Sequence, residues 1–460
     1  MKRFWLVMLS LGLVLAFSAS AMAVDVKFSG SFYAAGMYLD KVTFKDKASG
    51  ATAADSLSGT STAFYYQRLR VGTDFIVSPG LKLVTRFDAM ERIWGGTRSA
   101  LTTVDSAGTK TENENIAIDW AYINYASPIG TFDVGFMNYG ATGTIFGNSS
   151  KPVGRIKYSY AIGPAIINAA ISKVNDYSYS YADPTVTYTD ADNDVYHLEG
   201  VYAWKDGKAG INVNYYRSAS TKPQPLPLPA GKTAADYNYI KTYYLFTPYA
   251  IAKIGPVTLQ AEFNYATGKS KEYDSDISAT DIDVKLDNIS GWIDATADFG
   301  KFYFGGTFAY VSGNDPGTTD KEEGGTLTGG IDWNPTLIMF NQDRTYWVNP
   351  LGLGGYDATT NASAMSNAWF FQGKVGVKPI ATLDIMASLA FANADKKPAG
   401  VLNNAYGWEL DVTGTYKLTN NLSYMLGVGY LWTGDYYQGS NDQNGLNNNY
   451  MLINKLTLTF

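Results

Sequence analysis

From residue 24 onward the chain repeats one pattern: segments of about ten residues in which apolar and polar side chains alternate, separated by turn residues. Side chains on a β-strand point to opposite faces in turn, so this alternation makes one face apolar and the other polar. The clearest segment runs from Leu81 to Ile93. Leu81, Leu83, Thr85, Phe87, Ala89 and Ile93 share one face, with Glu91 the exception; Lys82, Val84, Arg86, Asp88, Met90 and Arg92 share the other. The preceding segment sets Leu69, Val71, Thr73 and Phe75 against Tyr66, Arg68, Arg70, Gly72 and Asp74. Near the end, Leu422, Tyr424, Leu426, Val428, Tyr430 and Trp432 oppose Ser423, Met425, Gly427 and Gly429. Just before them, Trp408, Leu410 and Val412 oppose Glu409, Asp411 and Thr413.

Two kinds of connection join these segments. Tight turns are predicted at Ser78-Pro79-Gly80, Pro128-Ile129-Gly130, Gly163-Pro164, Lys205 to Lys208, Gly255-Pro256, Gly300-Lys301, Pro379-Ile380 and Thr419-Asn420-Asn421. Long polar stretches near 40–61, 95–114, 175–193, 218–237, 267–284, 312–366, 393–404 and 433–448 come between them, with a further turn-back near 140–154. Short turns on one side and long loops on the other, joining two-faced strands, predict an all-β fold: a transmembrane antiparallel up-and-down β-barrel. The connections predict eighteen strands. Sixteen follow if one weak hairpin is miscounted, and twenty if 324–348 contributes a pair. A soluble sandwich or β-helix has no use for rings at strand ends on apolar faces. Tyr158, Tyr160, Tyr202, Trp204, Phe302, Phe304, Trp369, Phe371, Tyr430 and Trp432 sit there, suited to the two membrane–water interfaces.

The first 23 residues break the pattern and read as a cleaved signal peptide: Lys2 and Arg3, an apolar run from Phe4 to Phe17, then Ala21-Met22-Ala23. The barrel is then 24–460, in the cell outer membrane. Charged residues are only 17 % of the chain against 15 % aromatic, and the formal charge is −6. Removing Lys2 and Arg3 makes the remainder more acidic still, a poor match to nucleic acid. Without cysteine and with one histidine, thiolate metal sites, covalent haem, cysteine nucleophiles and multi-histidine metal sites are excluded. The expectation is a non-enzyme with no cofactor and no metal.

Three stretches carry a resemblance. Met451-Leu-Ile-Asn-Lys-Leu-Thr-Leu-Thr-Phe460 alternates and ends on phenylalanine. Asp119-Trp-Ala-Tyr-Ile-Asn-Tyr125 leads into Pro128-Ile-Gly-Thr-Phe-Asp-Val-Gly135. Gly154-Arg-Ile-Lys-Tyr-Ser-Tyr160 leads into Gly163-Pro-Ala-Ile-Ile-Asn-Ala-Ala-Ile-Ser-Lys173. In this order they resemble strands four to seven and the terminal strand of Gram-negative general diffusion porins. The resemblance implies a homotrimer in outer-membrane lipid and lipopolysaccharide, inserted by the barrel-assembly machinery through the strand ending at Phe460. It also implies that the loop after the fifth strand, about 138–154, folds inward as a constriction. That loop holds Gly140, Gly143, Gly147, Asn148 and Lys151, and none of the acidic residues such loops commonly set against basic ones.

Alternation points Arg68, Arg70, Lys82, Arg86, Arg92, Arg155 and Lys157 into the lumen, from the second, third and sixth predicted strands. A wall of one sign attracts ions of the other, so these residues form an anion-favouring ladder, unless Asp74 and Asp88 pair with them locally. Glu199, Glu262, Asp384, Glu409 and Asp411 also point inward and predict an acidic opposite wall. The function expected is passive diffusion of small hydrophilic solutes and ions. The alternatives are a substrate-selective porin for sugars or organic anions, favoured by an aromatic track such as Tyr66, Tyr243 and Tyr303, or a structural, partner-binding barrel. His197 has no Gly-x-Ser-x-Gly element beside it and reads as a lumen histidine. Asp190-Ala-Asp-Asn-Asp194 lacks the glycine and glutamate of a calcium loop, and Pro223 to Pro229 reads as a stiff loop segment. The 312–366 connection, with Trp333 to Phe340 and Arg344 to Trp347, is too apolar for a free loop. It is expected to tuck partly into the mouth, with a hidden hairpin or a subunit contact as alternatives.

Overall fold

In the computed structural model each alternating segment is a strand hydrogen-bonded to the strands before and after it in the chain. The structure describes residues 24–41, 44, 61–95, 116–140, 143–149, 151–176, 192–219, 239–273, 283–348, 364–442 and 445–460. The leader at 1–23, the Pro223 to Pro229 segment and Asp190 and Ala191 lie outside the described residues. The first six strands are β1 (Asp25–Leu39), β2 (Thr62–Ser78), β3 (Leu81–Ile93), β4 (Ile116–Ser127), β5 (Gly130–Asn138) and β6 (Pro152–Ile162). Next come β7 (Ala165–Asn175), β8 (Asn193–Trp204), β9 (Gly207–Ser218), β10 (Tyr239–Ile254), β11 (Val257–Tyr273), β12 (Val284–Asp298) and β13 (Phe302–Val311). After β14 (Lys321–Glu322) follow β15 (Ala368–Ile380), β16 (Leu383–Ala394), β17 (Ala405–Lys417), β18 (Leu422–Thr433) and β19 (Asn449–Thr459).

β19 pairs with β1 as well as β18, so the sheet closes on itself and leaves no edge to be desolvated in hydrocarbon. β14 is two residues of loop lying parallel to Lys285 and Leu286 of β12, so the barrel proper has eighteen strands. The twenty-strand alternative fails because 324–348 adds no hairpin; it ends instead in a short helix, α1 (Gln342–Val348). All eight predicted tight turns lie at one rim; the seventh falls on Ala381-Thr382, just past the predicted Pro379-Ile380. Gly80, at φ 80°, makes the first of these turns in a conformation that favours glycine. Both ends of the described chain lie at this rim, where the Gly30 amide donates to the Phe460 carbonyl at 2.8 Å.

The outer face is a continuous apolar surface, with Ile118 exposed by 65 %, Ile156 by 58 % and Leu426 by 55 %. Rings gather in two belts upon it. Phe299 lies 5.4 Å from Phe302 near the short turns, and Tyr215 lies 5.0 Å from Tyr244 near the long loops. This is the pattern of a lipid-facing barrel with an interface girdle at each end.

On the ladder wall, bulges in β3 and β4 break the alternation. In β3 a register shift between Gln67/Arg92 and Leu69/Ala89, with Met90 at φ 54°, inserts an extra residue. Glu91 therefore turns inward, which resolves its odd place on the apolar face. Arg92 pairs with Gln67, which shares the outward parity of Leu69 and Val71, so the expectation that Arg92 points into the lumen is overturned. In β4 the shift between Arg86/Trp120 and Phe87/Ile118 leaves Asp119 as the extra residue, and both Asp119 and Trp120 face inward.

Candidate functional site: a lumen narrowed by two inward loops

The ladder strands bring their cations together, but not as bare charge. Arg70 meets Asp88 through both carboxylate oxygens at 2.6 Å. Arg86 Nε donates to Asp119 at 3.0 Å and the guanidinium lies 3.7 Å from the Trp120 ring centroid. Lys82 reaches Asp74 at 2.7 Å, Arg68 reaches Glu91 at 3.5 Å, and Lys157 stands 3.9 Å from Asp133, its cross-strand partner. Arg155 is buried and donates to the Asn138 carbonyl at 3.2 Å. The basic ladder thus exists on β2, β3 and β6, interleaved with acids of the same wall. Alternation alone missed Glu91 and Asp119, because a bulge resets parity.

The loop after β5 does fold inward. Asn138 closes its base, its Oδ1 accepting from the Gly140 amide at 3.1 Å and the Lys151 amide at 2.8 Å. At its tip, Glu262 of β11 accepts from the Thr144 amide at 2.7 Å and the Thr144 hydroxyl at 2.8 Å. The carboxylate fits because Gly143 and Gly147 present no Cβ; one at Gly143 would stand 2.6 Å from Glu262 Oε2. Phe146 is buried between Trp292 of β12, parallel at 5.9 Å, and Trp333 of the long loop, edge-on at 5.2 Å. Lys151 is exposed.

The long loop between β13 and β15 inserts too, and the two loops bond to each other. The Asp332 amide donates to the Asn148 carbonyl at 3.3 Å, and the Gly330 amide to the Phe146 carbonyl. Deeper along the loop, Glu409 accepts from the Ile338 amide at 2.6 Å and the Met339 amide at 2.7 Å. Asp411 accepts from the Leu337 amide at 3.2 Å. Ile338, Met339 and Phe340 are fully buried, and Phe340 sits edge-on to Phe370 at 5.7 Å and Tyr406 at 6.0 Å. The wall that receives them is small or apolar on its inner face, with Ala309, Ala368, Ala390 and Ala392 all buried. Across from it Trp347 of α1 covers Tyr66 at 4.6 Å, and Asp343 meets Lys455 at 3.4 Å.

An acidic wall facing open water is therefore corrected. Glu262, Glu409 and Asp411 do point inward, but at 4 %, 0 % and 2 % exposure they are anchors sealed beneath the loops. Glu199 is buried, accepting from Asn168 at 2.7 Å and from the Tyr249 hydroxyl at 2.9 Å. Asp384 accepts from Tyr303 at 2.9 Å. His197 shares a 2.8 Å hydrogen bond with Asn214. The expected aromatic track is interrupted, since Tyr66 is covered by α1 and Tyr303 is held by Asp384.

What faces the ladder is Asp332, on the long loop. Its side chain is exposed to the lumen, yet partial desolvation pushes its carboxyl above the ordinary value, and the Arg70, Arg86 and Arg68 guanidiniums hold it back. The residue opposing the cations comes from the second inward loop, since 138–154 holds no acid.

No protein-family model matches the chain, and no curated protein matches it. Solved structures do. OccK2 (OpdF) of Pseudomonas aeruginosa, solved in complex with glucuronate, is similar at 11 % identity and a TM-score of 0.51, over 94 % of this chain and 97 % of that one. A BenF-like porin from Pseudomonas fluorescens Pf-5 is similar at 10 % identity and a TM-score of 0.50, over 94 % of this chain and 99 % of the other. The chain has the porin fold. At these identities the likeness reaches the porin architecture alone.

Proposed function

We propose that the protein is a passive channel of a Gram-negative outer membrane, admitting small hydrophilic solutes and ions down their gradients. The observation that carries this reading is the two-loop throat. Two loops anchored on buried carboxylates fill one side of the barrel, and what remains runs past a wall of half-buried, paired charges. Such a wall suits water and ions, and the loops set the size limit. The interleaved pairing supports a mild preference rather than strong anion selection, because Arg68, Arg70, Lys82, Arg86 and Lys157 each stand beside an acid. The reading brings with it a cleaved leader at 1–23, insertion through the strand ending at Phe460, lipopolysaccharide around the long-loop rim and a homotrimer. Reconstitution in planar bilayers tests it: stable, ohmic single-channel steps are expected, and a barrel that inserts without conducting would refute it.

A further inference from the structure

A chamber of about 440 Å³ opens between the inward loop, the β8–β11 wall and residues 325–328 of the long loop. This falls within the roughly 300–1,000 Å³ typical of small-molecule sites. Its wall is unlike the ladder. Asn193, Asn212, Asn214 and Asn264 line it with Tyr216 and Tyr243, whose rings stack at 4.5 Å and 7°. Tyr139 and Ser149 close it from the inward loop.

Of the five charged residues around it, Arg217 stands cross-strand from Asp194, Lys151 is exposed at the base of the inward loop, and Lys241, Glu262 and Asp194 are already engaged by the protein. Lys241 is bonded to Thr326 at 2.8 Å and stands 3.5 Å from Glu322. Glu262 is taken up by Thr144 and by Asn264, the latter at 3.0 Å. Asp194 has Lys173 at 2.8 Å, and by alternation lies on the outer face with Tyr196 and Leu198. Neutral polar side chains outnumber the charged ones in the lining, and the buried Asn193 Oδ1 has no hydrogen-bond partner among the described residues. A buried acceptor left so costs about 1–3 kcal/mol until a donor reaches it. A ligand with many hydroxyls and no charge answers both features, and its C–H faces can lie against tyrosine rings.

We infer that this chamber is a binding station for a small uncharged polyhydroxylated solute, of mono- to disaccharide size. It lies on the long-loop side of the inward loop and holds the solute before the throat. The inference rests on the channel reading and deepens it.

The test is ion current through the full-length protein in planar bilayers, with glucose or glucuronate added on the long-loop side. Glucose is expected to block in a saturable way and glucuronate more weakly. Tyr243→Ala and, independently, Asn193→Ala should each raise the half-blocking glucose concentration about tenfold, roughly 1.4 kcal/mol. Tyr243→Phe, which keeps the ring, should retain most of the block. A conducting channel indifferent to glucose would overturn the chamber and leave the channel reading standing. Stronger block by glucuronate would overturn the uncharged class. Block unchanged in both alanine variants would overturn the location. Absence of any current in the wild type would refute the channel reading itself.

Discussion

Glu409→Ala removes the acceptor that holds the long loop inside the barrel. In the folded protein its two oxygens take the Ile338 and Met339 amides at 2.6 and 2.7 Å, away from water. Each amide left buried without an acceptor costs about 1–3 kcal/mol, so the seated loop loses roughly 2–6 kcal/mol against the released one. At about 1.4 kcal/mol per decade, the released state gains between roughly thirtyfold and ten-thousandfold in relative population. The barrel need not unfold, because its strand ladder closes independently of the loop. Single-channel recording should therefore show a new, larger conductance level in Glu409→Ala, occupied far more often than in the wild type. Glu409→Gln keeps one acceptor oxygen and should fall between the two. Wild-type conductance with no added level in Glu409→Ala would refute the anchoring role.

Three further outcomes follow from the same geometry. Arg70→Ala leaves Asp88 and Asp119 short of a cation, and one charge at about 4 Å in water is worth about 1 kcal/mol, so cation over anion permeability should rise about fivefold, read from the reversal potential in a salt gradient. Glu262→Ala frees the tip of the inward loop at Thr144 and should widen the throat, seen as a higher size cut-off for uncharged polymers that reduce the current. Asp332 is exposed to the lumen, but partial desolvation there makes it bind its proton more readily than a fully solvated carboxylate, with Arg70, Arg86 and Arg68 opposing that rise. As pH falls it should neutralise ahead of fully solvated acids and move selectivity toward anions; Asp332→Asn should show that shift already at neutral pH and lose this step in the pH profile.

The strands, the turns and the closed eighteen-stranded ring are readable from period-two alternation, because lipid outside and water inside impose opposite demands on successive residues. The bulges are not, since one extra residue reverses parity. Their traces were present: Glu91 stood on an apolar face, and the apolar stripe of β4 changes from even positions at Ile116 and Ile118 to odd ones at Ile123 and Tyr125. The site itself was half readable. Parity placed Glu262, Glu409 and Asp411 inside the barrel, but it carries no information about what fills the space they face. That depends on the long loop, whose Ile338, Met339 and Phe340 find an inner wall of alanines. The alternation of large outward and small inward residues from Ser388 to Ala394 was the available sign that something packs there.

The account centres on a water-filled barrel whose throat is set by the two inward loops. The most direct measurement is the single-channel conductance of the full-length protein beside a form in which residues 328–348 are replaced by a short flexible link. The wild type should conduct in stable ohmic steps and the shortened form in distinctly larger ones. Equal conductance in the two forms, or none in either, would contradict it.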